Sequence, residues 1–375
     1  MSNHDKFMIK LAYVLAAAGF FLVFFAACLF LGVFHEIGYP FLIVSRNRNT
    51  SMMAMMAASA SAVSGVAMLL LGFLNFSTRP TKASVYAIEQ IDTIGRQMER
   101  TRRQSAEHLA GMYSQRYFSR MGYDEFGFHV LLFAVMTAAL SVGEGTSLSF
   151  LVFVLLVVAI SLAAARVRSK LFLEFSGILS DKCQPYAALL AFLAPFRARQ
   201  RLRIKRSTYG YLSMITLGFY YMGEFERALE HVGFVWEEAP DFVKKTVNQI
   251  HYHTMRLYCY RELGLEEEAE REKAQLEECL KLHPKWERHP YATGYRANEN
   301  IKSLIETEQY QEARALLMER IDAGNPVYMR VAYHYQLWKV ARLTKDEDEA
   351  QLHAEYITQY GKDMFYYARI NSEQQ

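Results

Sequence analysis

The sequence predicts an all-α protein in two halves, a four-helix transmembrane region followed by a cytoplasmic helical-repeat solenoid, and three observations carry that reading. Long uncharged runs are confined to the N-terminal half, at 11–34, 52–76 and 146–165. Charged side chains recur every few positions from Arg166 onward. A turn followed by an alanine returns four times in the C-terminal half, at the spacing of a helix pair. Averages conceal the division, because 52 % of the 375 residues are hydrophobic while the mean hydropathy is only −0.03. The break near Ala165 sets the boundaries: a transmembrane region over 1–165, a basic juxtamembrane helical linker over 166–206, and the repeat domain over 207–375.

A helix satisfies its own backbone, and charge is expensive in hydrocarbon, so an uncharged run of about 20 residues reads as a span. The runs 11–34, 52–76 and 146–165 meet this criterion. A fourth, 126–143, is shorter and carries His129 near one end, with a re-entrant or interfacial helix as its alternative. Lys and Arg near span ends are retained in the cytoplasm. Arg79, Lys82, Arg96, Arg100, Arg102, Arg103, Arg116 and Arg120 precede the last two runs, and Arg166, Arg168 and Lys170 follow them, so both flanks of that hairpin are expected inside. Lys6 and Lys10 put the N-terminus inside as well, although Arg46 and Arg48 weaken the contrast. The expected location is an integral, bacterial plasma-membrane protein with both termini cytoplasmic. Ala57, Ser61 and Gly65 recur at four-residue spacing, which suits close helix packing and, as the sharper reading, homo-oligomer formation through the spans. No Asp, Glu, Lys or Arg sits mid-span, which disfavours transport. The box Phe25-Ala26-Ala27-Cys28 is a poor lipoprotein signal because apolar residues continue after the cysteine.

Two further segments have helical periodicity. In 83–121 the apolar residues Val85, Ile88, Ile91, Ile94 and Met98 fall on one stripe and Arg96, Arg100 and Arg103 on another, as in an amphipathic helix that continues the second span or lies on the bilayer. Helices are also expected over 171–179 and 186–196, the latter as a cap for the repeat domain. The basic run Arg197, Arg199, Arg201, Arg203, Lys205 and Arg206 reads as inside-retention or as contact with membrane lipid headgroups. Nucleic acid is not expected as a partner, because the net charge is only +3 and no binding motif surrounds the run.

Signatures of chemistry are missing from the sequence. Cys28, Cys183, Cys259 and Cys279 do not stand at zinc or redox spacing. His251 and His253 project from different sides of a helix. No Gly-rich phosphate loop, no G-x-S-x-G elbow and no H-E-x-x-H helix occurs, so no catalytic residue, metal or cofactor is assigned.

The repeat signal is the strongest in the C-terminal half. Gly223-Glu224-Phe225 is followed by Ala228 and closes on Pro240; Leu263-Gly264-Leu265 by Ala269 and Pro284; Glu308-Gln309-Tyr310 by Ala313 and Pro326; Lys345-Asp346-Glu347 by Ala350. Each unit reads as two helices crossing at a small residue and ending at a proline that cannot continue the second. This resembles the tetratricopeptide repeat over roughly 207–361, with Phe219, Gly223, Phe225, Ala228 and Pro240 as the best match. The periods exceed the usual ~34 residues, and Leu217-Gly218 and Tyr221 sit two residues out of register with Ala228. The resemblance implies a groove lined by the first helix of each pair, binding a peptide or protein segment. Projected onto this chain it points to Tyr220, His251, Tyr258, Arg261, Asn298, Lys302, Tyr335 and Lys339. Their mixture of aromatic and cationic groups would suit a partner with acidic and apolar residues. Ser213 and Leu217 stand where a chaperone-type carboxylate clamp needs Lys and Asn, so that binding mode is not expected. The function expected is a membrane-anchored protein–protein interaction scaffold; the alternatives are a membrane enzyme, a transport accessory, or a sensor relaying a signal to the array.

Overall fold

A computed structural model describes residues 81–141, 147–198 and 206–373. The runs 11–34 and 52–76, with Cys28 and the Ala57, Ser61, Gly65 stripe, lie outside the described residues. All regular structure among the described residues is helical. The helices are α1 (Lys82–Gln97), α2 (Arg100–Ser141), α3 (Ser147–Ser180), α4 (Pro185–Ala198), α5 (Arg206–Tyr221), α6 (Phe225–Glu238), the single turn α7 (Asp241–Lys244), α8 (Asn248–Glu262) and α9 (Glu266–Leu282). A 3-10 turn, Pro284–Trp286, leads into α10 (Pro290–Glu306), α11 (Tyr310–Asp322), α12 (Val327–Thr344), α13 (Glu347–Tyr360) and α14 (Phe365–Glu373).

The structure corrects the expected location. Among the described residues no helix is long and apolar enough to cross a membrane. This overturns the assignment to a plasma membrane with cytoplasmic termini, and leaves the crossings read over 126–143 and 146–165 without support. Residues 126–141 of the first are the end of α2, a 42-residue helix whose earlier turns are dense in arginine.

The described residues divide between two units. In the smaller, Gln115–Phe172, Arg168 of α3 donates to Asp124 of α2 at 3.3 Å and stacks over the Phe128 ring at 5.6 Å. The larger comprises Pro80–Ser114 and Leu173–Gln375. Its framework is a set of helix hairpins, α5/α6, α8/α9, α10/α11 and α12/α13, each closed by a short turn.

Those four turns share one hydrogen-bond pattern. Gly223, Gly264, Glu308 and Lys345 all take the left-handed conformation, with φ of 83°, 73°, 57° and 60°. The next residue donates its amide five positions back in every case: Glu224 to Phe219, Leu265 to Tyr260, Gln309 to Leu304 and Asp346 to Ala341, at 2.8–3.0 Å. This Schellman closure satisfies carbonyls that the ending helix leaves unpaired. Its geometry fixes where the second helix starts, and so brings Ala228, Ala269, Ala313 and Ala350 to the crossing. All four are buried, three of them completely. A larger side chain there would hold the two helices apart.

The amphipathic segment does not lie along a separate face. It breaks at Met98-Glu99, and α1 packs against α4 and α6. Its buried stripe is Ala83, Ala87, Ile91 and Ile94, whereas Val85, expected on the apolar face, is 40 % exposed. Alanine decides the register, because it permits closer approach than valine. The start of α1 is fixed by charge: the Glu238 carboxylate, at the end of α6, accepts from the amides of Lys82 (2.8 Å) and Ala83 (3.3 Å). An anion at a helix N-terminus meets unpaired amides and the positive end of the dipole. On α4, the side chains of Ala187, Ala188, Leu189, Ala191, Phe192 and Leu193 are fully buried, and α4 packs against α5.

Candidate functional site: an aromatic seat on the first helices

The last helix of the chain, α14, is what the larger unit holds most conspicuously. It is a nine-residue element following the turn Gly361–Met364, and Phe365, Tyr366 and Ile370 are its buried face. The Phe365 ring meets Tyr220 at 5.7 Å, Phe225 at 5.0 Å and Tyr366 at 4.0 Å between centroids. Tyr366 in turn meets Tyr221 at 6.4 Å and Tyr335 at 4.8 Å, and Tyr221 meets Tyr328 at 5.1 Å. These rings come from the end of α5, the start of α6, and α12. Most contacts are edge-on or tilted, the arrangement in which the positive rim of one ring meets the negative face of another.

One ion pair completes the seat. Arg369 donates to Glu262, at the end of α8, at 2.6 Å, and its guanidinium lies 4.9 Å from the Phe365 centroid and 5.7 Å from that of Phe225. Burial pushes the Tyr220, Tyr221 and Tyr366 phenols well above the ordinary tyrosine range, so all three remain neutral. Glu262 therefore supplies an anionic target on an otherwise uncharged aromatic wall, and Arg369 is the side chain that reaches it.

The eight groove residues read from the sequence divide into three groups. Tyr220 and Tyr335 lie in the seat and are buried against α14. Tyr258, Asn298 and Arg261 form a polar bridge from α8 to α10: the Asn298 amide donates to the Tyr258 hydroxyl at 2.7 Å, and Arg261 donates to both Glu299 oxygens at 2.5 and 2.9 Å. Burial raises the Tyr258 phenol to about 12. Lys273 of α9 adds a second cation to Glu299 at 3.2 Å; burial pushes this carboxyl up, but the Arg261 hydrogen bonds and charge, with Lys273 behind them, hold it below its ordinary range. The remaining three belong to neither the α14 contact nor this bridge. Lys302 pairs with Glu306 on its own helix at 3.0 Å, Lys339 lies over the Tyr335 ring at 5.7 Å, and His251 is buried beside Tyr291 with its Nε2 unpartnered. Desolvation lowers His251 to about 4, so it is neutral at pH 7.

The sequence reading missed Tyr221, Phe225, Glu262 and Tyr328 as seat residues, and α14 altogether. A signal for α14 was present in the sequence, since Met364-Phe365-Tyr366-Tyr367 concentrates aromatic side chains just after the last array turn. Of the basic run, Arg197 forms an ion pair with Asp92 of α1. Arg199, Arg201, Arg203 and Lys205 lie outside the described residues, and Arg206 opens α5.

Other buried polar groups belong to the framework. Glu272 accepts from Arg256 and pairs with His253 at 2.8 Å, joining α8 to α9. His334 and His353 meet through their Nδ1 atoms at 3.0 Å, which requires one ring to donate and the other to accept. Burial is the main cause that lowers both below the ordinary histidine range, His334 to about 4. Cys183, Cys259 and Cys279 are free thiols buried in the packing. No known family matches this chain, nor does any curated protein or solved structure.

Proposed function

We propose that the chain is a protein–protein interaction scaffold whose C-terminal part is a divergent tetratricopeptide-like solenoid of helix hairpins. Two features support the solenoid reading: the common closure of the four array turns, and the buried alanine that follows each of them. One observation carries the functional reading. The face formed by α5, α8 and α12 already holds a short amphipathic helix, α14, through an aromatic wall and one carboxylate. A surface that takes up a helix in this way is built for helix-in-groove recognition.

Photo-crosslinking in the cells that express the chain tests this reading. A photoreactive residue replacing Lys302 or Lys339, on the first helices α10 and α12, should give a discrete protein adduct. The same residue replacing Gln275 or Glu319, exposed on the second helices α9 and α11, should not. Identical adduct patterns at all four positions, or none at any, would contradict the scaffold reading.

A further inference from the structure

We infer that α14 is a displaceable plug, and that the seat beneath it recognises a partner helix bearing two adjacent aromatic residues and an arginine three positions after the second. The inference deepens the scaffold reading and rests on it, because it names the surface and the chemistry of its ligand.

The argument begins with how α14 is held. Only one short face of it is buried, and its charged contact is a single ion pair whose side chains keep 34 % (Arg369) and 22 % (Glu262) of their exposure. The segment joining it to α13 includes the exposed Lys362. Asp363 ties this connection to Gln184 and, at 2.6 Å, to Arg102. A nine-residue helix is too short to be stable alone in water, so α14 is helical because it is docked. A short element with three of its nine residues buried belongs to the low-stability end of the opening hierarchy.

The seat without α14 would be poor surface to leave in water. Tyr220, Tyr221, Phe225 and Tyr335 would form a contiguous aromatic wall around the Glu262 carboxylate. Large exposed apolar patches of this kind mark docking sites. What fits there can be read from what is bound. Phe365 and Tyr366 are neighbours on one side of a helix, Arg369 follows one turn later and reaches Glu262, and Ile370, 1 % exposed, closes the apolar face. The anion sits on the receptor side, so the seat selects a cationic helix. The tether gives α14 an effective concentration in the millimolar range. A partner must therefore carry this pattern, and bind tightly enough to overcome that advantage.

A fluorescently labelled peptide of residues 361–375 is the probe, titrated into the full chain and into the full chain carrying Phe365→Ala and Arg369→Ala. The double substitution weakens the plug without altering the seat. Binding should be at least tenfold tighter to the substituted chain, and Glu262→Gln in that background should weaken it by about tenfold. Native-state hydrogen exchange on the unmodified chain gives a readout that does not depend on these substitutions. The α14 amides should exchange through local opening, at least tenfold faster than those of α8. Equal or absent peptide binding to both chains, with α14 exchanging only by global unfolding, would overturn the inference and make α14 a fixed part of the fold. Concentration-dependent dimers of the unmodified chain with no peptide binding would assign the seat to a second copy's helix, and would also overturn it. Crosslinks at Lys302 and Lys339 that survive either result would leave the scaffold reading standing and refute only the plug.

Discussion

Replacing Gly223 and Gly264 by alanine separates the energetics of the array turns from those of the α14 seat. Both glycines are left-handed, at φ 83° and 73°, so both substitutions incur the same backbone penalty, about 1–2 kcal/mol for a non-glycine residue there. Alanine also restricts the unfolded chain, which returns about 0.4–1 kcal/mol. The net cost of Gly264→Ala should therefore be about 1 kcal/mol, since an added Cβ at Gly264 meets nothing within 4 Å. At Gly223 the same Cβ would come to 3.0 Å from the Phe365 Cβ. Relief requires moving the α14 backbone, so overpacking adds about 1–3 kcal/mol to the turn penalty. The assay is urea unfolding followed by circular dichroism, with midpoints compared at constant slope. Gly223→Ala should be the more destabilising by at least 1 kcal/mol, and the excess should vanish in a Phe365→Gly background, which removes the obstructing Cβ. Equal losses at the two glycines would refute the placement of α14 over the first array turn.

Three further outcomes follow from the framework. Lys345→Gly, at the fourth turn, should stabilise the chain by up to about 1 kcal/mol in urea unfolding, because glycine relieves a left-handed lysine at some entropic cost. Arg261→Met should destabilise by about 2 kcal/mol, since it leaves the half-buried Glu299 with Lys273 alone, and a second change, Glu299→Leu, should recover part of the loss. Lowering the pH should destabilise the fold in two stages. His231 (about 3) and His251 (about 4) are held neutral by burial, below their unfolded value near 6.5, so the unfolded chain binds the extra protons. Their contribution is complete above pH 6.5 and is lost as pH falls from 6 to about 4 for His251 and about 3 for His231, by about 2–3 kcal/mol between pH 6 and 5 for the pair. Below about pH 4.5 the carboxyls of Glu272 and Glu299, depressed in the fold, begin to add a loss of the same sign. Urea midpoints at pH 7, 6, 5 and 4 measure both stages, and His231→Leu should flatten the first.

The hairpin framework was legible in the sequence because its signals are local. A left-handed turn followed by an alanine fixes a helix pair within one segment, and Gly223, Gly264, Ala228 and Ala269 announce it at fixed spacing. Glu308 and Lys345 occupy the same conformation without being glycine, and were recognised only through the alanines after them. The spans read over 126–143 and 146–165 find no support, and an uncharged run does not record where its helix ends. Residues 126–141 belong to a helix that begins at Arg100, and the helix that carries the run ending at Ala165 continues through Arg166, Arg168 and Lys170. The register of α1 was misjudged because valine and isoleucine weigh more than alanine on any apolar scale, while close packing against α4 and α6 favours the smaller side chain. The seat was half visible. Tyr220 and Tyr335 follow from the position of first helices, but Glu262 and Arg369 are 107 positions apart, and no local pattern links them.

The central claim is that α14 is bound on the first-helix face through a recognisable charge and aromatic code, and a double-mutant cycle between Glu262 and Arg369 tests it most directly. Glu262→Gln, Arg369→Met and the double variant would be compared by urea unfolding, with α14 hydrogen exchange measured in parallel. The partly exposed pair should show a coupling of about 1 kcal/mol, appearing as faster exchange confined to α14 in each single variant. Additive losses, with α14 exchange unchanged from the parent chain, would contradict the account.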